Sequence, residues 1–182
     1  MEILKSENSK KEQNTNRHVL IIGGAGYIGS VLARKLLSKS YQVRVLDNLL
    51  YDNGSSVSDL MEEELFSFFY GDFGNDEILE KALNNVTDVV LLAALVGDPI
   101  CKKYPDLAKK TNLDFPKNLL QKLIGKNINK FIFTSTCSNY GLRADDSLAV
   151  EDSELNPQSL YAETKVEFER YILDNLDKFD FS

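Results

Sequence analysis

The segment "HVLIIGGAGYIGS", residues 18–30, limits what this chain can fold into more than any other. An apolar run ends in Gly23, Gly24, Gly26 and Gly29, and apolar residues then recur at helical spacing in "GSVLARKLLSKS", at Val31, Leu32, Leu36 and Leu37. A strand that turns through glycines straight into a helix is the opening of a βαβ unit. Glycine there gives a tight turn, lets backbone approach a pyrophosphate closely, and lets the helix pack against the strand. The helix N-terminus offers N–H groups and partial positive charge to phosphates.

The rest of the chain continues the alternation. "YQVRVLD", "LFSFFYGD", "TDVVLLAAL" and "NKFIFTST" read as further strands. Helical patterns lie near 75–84, in "PDLAKKTNLDFPKNLLQKLIGK" with an irregularity expected at Pro116, and in "SLYAETKVEFERYILDNL". Strands apolar on both faces and alternating with helices predict a doubly wound parallel sheet, an α/β domain of Rossmann type. Residues 141–158 form the one long polar connection, of the kind that often carries function. Residues 1–17 are polar and lack the apolar core of a secretory signal; they read as a flexible tail before a domain over 18–182.

Composition narrows the function. A net charge of −7 gives no basic stripe for nucleic acid. The longest apolar stretch, 89–97, is too short to span a bilayer. Cys101 and Cys137 make neither a disulfide framework nor a metal site, so a reducing, cytoplasmic setting is expected.

Asp47 ends the second strand, where a carboxylate accepts the hydroxyls of an adenosine ribose and repels a 2′-phosphate. Asn48 rather than arginine follows it, so NAD is expected in preference to NADP. Asp72, after the third strand, reads either as a contact to adenine or as a turn or cap residue. The fifth strand ends in "TSTCSNYG", an unusual cluster of hydroxyls at a strand end. Further on, "YAETK" puts Tyr161 and Lys165 one helical turn apart on one face. An ammonium beside a phenol favours the phenolate, which makes tyrosine a usable general base, with Thr136 placed to hold a substrate oxygen.

Taken together, "GGAGYIGS", "GD", "LAAL", "STCSNYG" and "YAETK" resemble the extended short-chain dehydrogenase/reductase family, in its NAD-dependent sugar-nucleotide epimerase and dehydratase branch. The resemblance runs from His18 to the C-terminus. It implies that Gly23, Gly26 and Gly29, with the backbone of Tyr27 and Ile28, hold the pyrophosphate. Asp47, with Asn48 beside it, takes the ribose, Asp72 lies near adenine, and Ala93 and Ala94 line the cofactor. It makes Thr136, Tyr161 and Lys165 the catalytic set, with Lys165 also binding the nicotinamide ribose and lowering the tyrosine pKa. A nucleotide sugar is the implied substrate, and a homodimer through the helices near 105–124 and 160–176 the implied assembly, with Leu119, Leu120, Leu123, Phe168, Tyr171 and Ile172 as its apolar stripes. Ile22 and Leu91 depart from the family's usual threonine and histidine. The larger departure is length: family members run to about 300 residues or more (a family implication, beside a length prior). The chain is therefore expected to stop after the active-site helix, with the substrate domain absent and the fifth strand left unpaired on its outer edge. A binding module without chemistry, an inactive fragment and an NAD-dependent oxidoreductase share these residues and stay open alternatives.

Overall fold

The structure is a computed structural model that describes residues 16–142 and 148–182. The polar stretch expected as a tail lies, up to residue 15, outside the described residues, as do residues 143–147 of the long connection. The chain forms two compact units, one of residues up to 93 with 125–133 and 180–182, the other of 94–124 with 134–179.

The first unit is the sheet. Its elements are β1 (His18–Ile22), α1 (Tyr27–Leu37), β2 (Gln42–Asp47), a 3-10 turn (Gly54–Leu60), β3 (Phe66–Tyr70), α2 (Asp76–Leu83), β4 (Asp88–Leu91) and β5 (Lys130–Phe133). All pairings are parallel, in the order β3-β2-β1-β4-β5. The central strands are buried along their apolar runs: Val19 to Ile22 and Val89 to Leu91 have both faces covered. Ala33 of α1 sits in the core with Val19, Ile21, Val43, Val45 and Val90, and Leu32, Leu36 and Leu37 pack against it. Val31, expected in that stripe, is 63% exposed, because the stripe is centred one residue on. Arg44 leaves β2 to lie over the Phe69 ring at 4.8 Å and donates to the carbonyls of Ala82 and Asn84, so a cation closes the C-terminus of α2.

The outer edge of β5 departs from expectation. Ser182 N–H donates to Asn129 O at 3.3 Å, and Phe131 N–H donates to Ser182 O at 2.9 Å. Two bonds that flank Lys130 in this way are one rung of a parallel ladder. Phe181 also stands against Phe131, ring centroids 6.3 Å apart. The edge expected to be unpaired therefore already carries its first rung.

The second unit is helical: α3 (Asp98–Lys103), α4 (Pro105–Lys109), a π turn (Lys110–Asp114), α5 (Phe115–Leu123), a 3-10 turn (Cys137–Tyr140), α6 (Leu160–Leu173) and a 3-10 turn (Leu176–Lys178). The irregularity expected at Pro116 is the π turn just before it. A proline has no N–H to give the carbonyl four residues back, here that of Asn112, and its ring crowds that carbonyl, so the helix widens. Alongside, α5 and α6 are joined by Lys117–Glu167 at 3.0 Å and by Gln121 Nε2 donating to Tyr171 Oη at 2.6 Å.

The apolar stripes expected at a dimer interface lie largely within the single chain. Leu119, Leu120, Leu123 and Phe168 are fully buried in the single chain, and Tyr171 and Ile172 are half-buried. An apolar stripe marks the face a helix buries, and the chain's own core has the first claim on it.

Within the π turn, Asn112 is buried and its side chain holds the backbone of Leu95 at both ends, accepting from Leu95 N–H at 2.8 Å and donating to Leu95 O at 3.1 Å. Asn112→Ala leaves the buried Leu95 N–H without its partner and the Leu95 carbonyl with only the Cys101 thiol, 3.3 Å away. It is expected to cost about 2–3 kcal/mol, read as a lowered urea midpoint with an unchanged slope.

Candidate functional site

The glycine loop of the first unit is built by close backbone approach. Gly23 has φ +83°, and a Cβ on it would stand 2.5 Å from Ala93 N. A Cβ on Gly29 would stand 2.5 Å from Gly24 Cα. Gly26 is the N-cap of α1 and brings no capping side chain, and no acidic residue occupies the first turn. The N–H groups of that turn thus keep their capacity for an anion. Tyr27 beside them is 92% exposed and Ile28 is exposed as well.

Asp47 braces this loop as well as ending β2. Its Oδ2 accepts from Ala25 N–H and its Oδ1 from Leu49 N–H, both at 2.9 Å. Each oxygen keeps a further lone pair for a hydroxyl donor. Asn48 Nδ2 donates to Asp72 Oδ2 at 3.1 Å, which ties two expected cofactor residues together. Asp72 also accepts from Gly74 N–H at 2.8 Å, so it is a turn residue. The cap of α2 is Asn75, which accepts from Glu77 and Ile78 N–H. Ala93 lies at the end of β4 with its N–H on Ile22 O.

Sequence reasoning missed two supports of the loop. Asn53 Nδ2 and Ser56 Oγ both donate to Ala25 O, at 2.7 and 2.6 Å. Arg34 reaches from α1 to Ser30 O, Ser56 O and the Asp59 carboxylate. The stretch "DNGSS" signals a turn, but nothing local says that it returns to the glycines. Asn53 Oδ1 is buried without a hydrogen-bond partner, an acceptor left over beside the loop. The open helix turn, the glycine cradle and this acceptor fit a dinucleotide.

The second unit carries Ala94, half-buried, and the residues expected to be catalytic. Thr136 is the N-cap of the 3-10 turn, its Oγ1 accepting from Ser138 N–H at 3.2 Å. Tyr161 and Lys165 lie on α6, whose N-cap Ser159 accepts from Ala162 N–H at 3.3 Å. Tyr161 packs against the cluster of Leu95, Cys101 and Ala108. Lys165 is 3% exposed, with Nζ donating to Thr134 O at 3.0 Å and lying 5.8 Å from the Tyr161 ring centroid. The structure thus ties the lysine to the hydroxyl-rich strand end through Thr134, two residues before Thr136. Gly141, at φ +63°, lets Asn156 come close, since a Cβ there would stand 1.9 Å from Asn156 O.

Burial sets the charges. It pushes Lys165 down to about 8, against a smaller upward pull from Glu169. It pushes Tyr161 above the ordinary tyrosine value, with the Cys101 and Cys137 thiols adding to the rise. In the cofactor-free chain Tyr161 is therefore held protonated, the opposite of what the neighbouring lysine alone was expected to achieve.

Comparison with known proteins gives a consistent picture. The profile of the NAD dependent epimerase/dehydratase family matches residues 19–182. UDP-glucose 4-epimerase of Halalkalibacterium halodurans is 32% identical over 156 residues, 84% of this chain and 44% of that protein. UDP-arabinose 4-epimerase 1 of Arabidopsis thaliana is 33% identical over 170 residues, 86% of this chain and 39% of that protein. Among solved structures, the UDP-glucose 4-epimerase of Thermus thermophilus in complex with NAD superposes with TM-score 0.80 at 30% identity, covering 90% of this chain and 52% of that one. The chain spans about half the length, or less, of the proteins it matches. Among the described residues no helix is long and apolar enough to cross a membrane.

Lys165→Met is expected to stabilise the cofactor-free chain at pH 7 by about 1–3 kcal/mol, because it removes a buried charge and keeps its volume. The folded-state value of about 8 lies below the ordinary 10.5. Between these values the unfolded lysine keeps a proton that the folded one has lost, so wild-type stability rises with pH. The advantage of the variant is full below pH 8 and fades above it, as urea titrations at pH 7 and pH 10 would record.

Proposed function

We propose, for a chain that belongs to the NAD-dependent epimerase/dehydratase family, that its first unit binds NAD and its second carries the reversible oxidation of a nucleotide-sugar hydroxyl. The observation that carries this reading is the buried Lys165, anchored on Thr134 O and one helical turn from Tyr161. A buried ammonium is costly to keep; holding a ribose would account for the lysine alone, but a fold that only bound a dinucleotide would have no use for a phenol one helical turn from it.

In this reading Gly23, Gly26 and Gly29 allow the pyrophosphate close to backbone, where the N–H groups of Tyr27 and Ile28 receive it. Asp47 accepts the adenosine ribose hydroxyls while its bond to Ala25 N–H holds the loop in shape. Asn48 and Asp72 border the adenine side, and Ala93 and Ala94 leave room for the cofactor. Bound NAD supplies hydride acceptance and return. Thr136 orients the sugar hydroxyl and Tyr161 takes its proton. Lys165 holds the nicotinamide ribose and adds positive charge near Tyr161. Because burial raises Tyr161, its proton leaves only when further positive charge faces the phenol. The tyrosine is thereby a base in the loaded state and inert in the empty one.

The names of the relatives favour a UDP-sugar and 4-epimerisation. The matched proteins are about twice as long as this chain, and we assign the choice of sugar to the half beyond the match. Self-association through the same helices would use their outward side, where Leu107 and Leu173 are exposed, and not the buried leucine stripe.

Fluorescence titration is expected to give tighter binding of NAD(H) than of NADP(H). Asp47→Ala should cost about 1.5–3 kcal/mol in NAD affinity, one charge-assisted bond, and narrow the preference. Equal affinity for both cofactors in the wild type would remove Asp47 from its role. Tyr161→Phe should lower any interconversion of UDP-sugars by about 10²–10⁴-fold with NAD affinity unchanged; retained turnover would place the base elsewhere.

A further inference from the structure

We propose that Glu169, held in place by Asn139, is a positioning residue that acts through Lys165: it supplies the counter-charge of the buried ammonium and fastens the hydroxyl-bearing turn to the lysine face of α6. The proposal rests on the reading of Lys165 given above and extends it to two residues with no role so far.

Tyr161, Lys165 and Glu169 follow one another at four-residue steps, so one face of α6 carries all three. Thr134 O gives Lys165 a neutral dipole. The ammonium is 3% exposed, and a carboxylate near it favours the charged form. The half-buried Glu169 carboxylate, one turn further on, opposes the effect of burial on the lysine. Around this face, Tyr161 and Glu169 come from α6 and the carbonyl of Thr134 from the strand end, while the thiols of Cys137 and Cys101 bear on Tyr161.

Glu169 is itself held. Asn139 Nδ2 donates to Glu169 Oε2 at 3.2 Å and to Ser135 Oγ at 3.0 Å. Asn139 is 4% exposed, its N–H reaches Thr136 O at 3.3 Å, and its carbonyl accepts from Asn156 N–H at 2.9 Å. The amide is thus wired into the strand end, the turn that follows Thr136 and the segment before α6. Its orientation follows from chemistry: a carboxylate only accepts, so the amide nitrogen must face it. The result is that Asn139 Oδ1 is buried with no hydrogen-bond partner. An unpaired buried acceptor costs about 1–3 kcal/mol. A side chain that served packing alone would avoid that cost, whereas one that delivers a donor to a carboxylate must bear it.

The test is the titration of Lys165 in the full chain, followed by NMR on ¹³Cε-labelled lysine, with the signal assigned by its loss in Lys165→Met. The wild-type midpoint is expected near 8. Glu169→Gln keeps an acceptor for Asn139 and removes only the charge, and should lower the proton affinity of Lys165 by roughly tenfold or more. A tie that was merely structural would leave the midpoint unmoved in this variant, and that result overturns the proposal. If Glu169→Gln does not fold, Glu169→Asp carries the test, since its charge is withdrawn by one methylene. A fall of roughly threefold supports the proposal and no fall overturns it. NAD titration of Lys165→Met judges the underlying reading separately. If affinity ignores Lys165 while the midpoint follows Glu169, the ribose contact fails and the positioning stands; the reverse pattern keeps the contact and removes the positioning.

Discussion

The structure of the first unit depends on backbone meeting backbone at its glycines. At Gly23 the chain passes so close to Ala93 that no side chain can intervene, and at Gly29 the first turn of α1 rests on Gly24. These approaches fix where β1 ends, where α1 begins and how close the end of β4 lies. The N–H groups of the helix start are then presented at a defined place, and Asp47, Asn53 and Ser56 have a fixed Ala25 to hold. A single methyl at either glycine would act on all of these together, since the atoms it would meet are backbone and cannot rotate away.

The second unit depends on a different constraint, a charge kept where water is scarce. Lys165 sits in the interior, costly to the empty fold, and the neighbouring tyrosine is driven toward its neutral form by the same burial. Burial thus disfavours the charged form of both side chains at this helix. Polar residues collected around it (Thr134, Ser135, Asn139, Glu169) bring acceptors and donors into a region that apolar side chains would otherwise fill more cheaply.

Most of the architecture was legible because it rests on local signals that agree with one another. The glycine turn, the apolar runs of β1 and β4 and the proline that disturbs the helix before α5 each have one dominant physical cause, and each stands where its pattern put it. Legibility failed where a residue's meaning depends on what faces it. The leucines of α5 declared an apolar face but not which surface would cover it. Asn112 looked like any polar helix residue until the π turn set it against Leu95. Asn53 and Ser56 belong to a turn whose target lies far back in the chain. The tyrosine–lysine pair was visible as spacing, while the rise of the tyrosine was not, because burial is a property of the folded surroundings.

The rung at Ser182 has a consequence for anything laid along β5. Side chains alternate faces along a strand, so the first hydrogen-bonded pair settles the parity of every later one. With Lys130 and Ser182 paired and Phe181 placed against Phe131, a slip by one residue would turn that phenylalanine to the opposite face. The sheet edge thus behaves as a template with a built-in phase: it can be extended in one alignment at little cost and resists the alignment one step away.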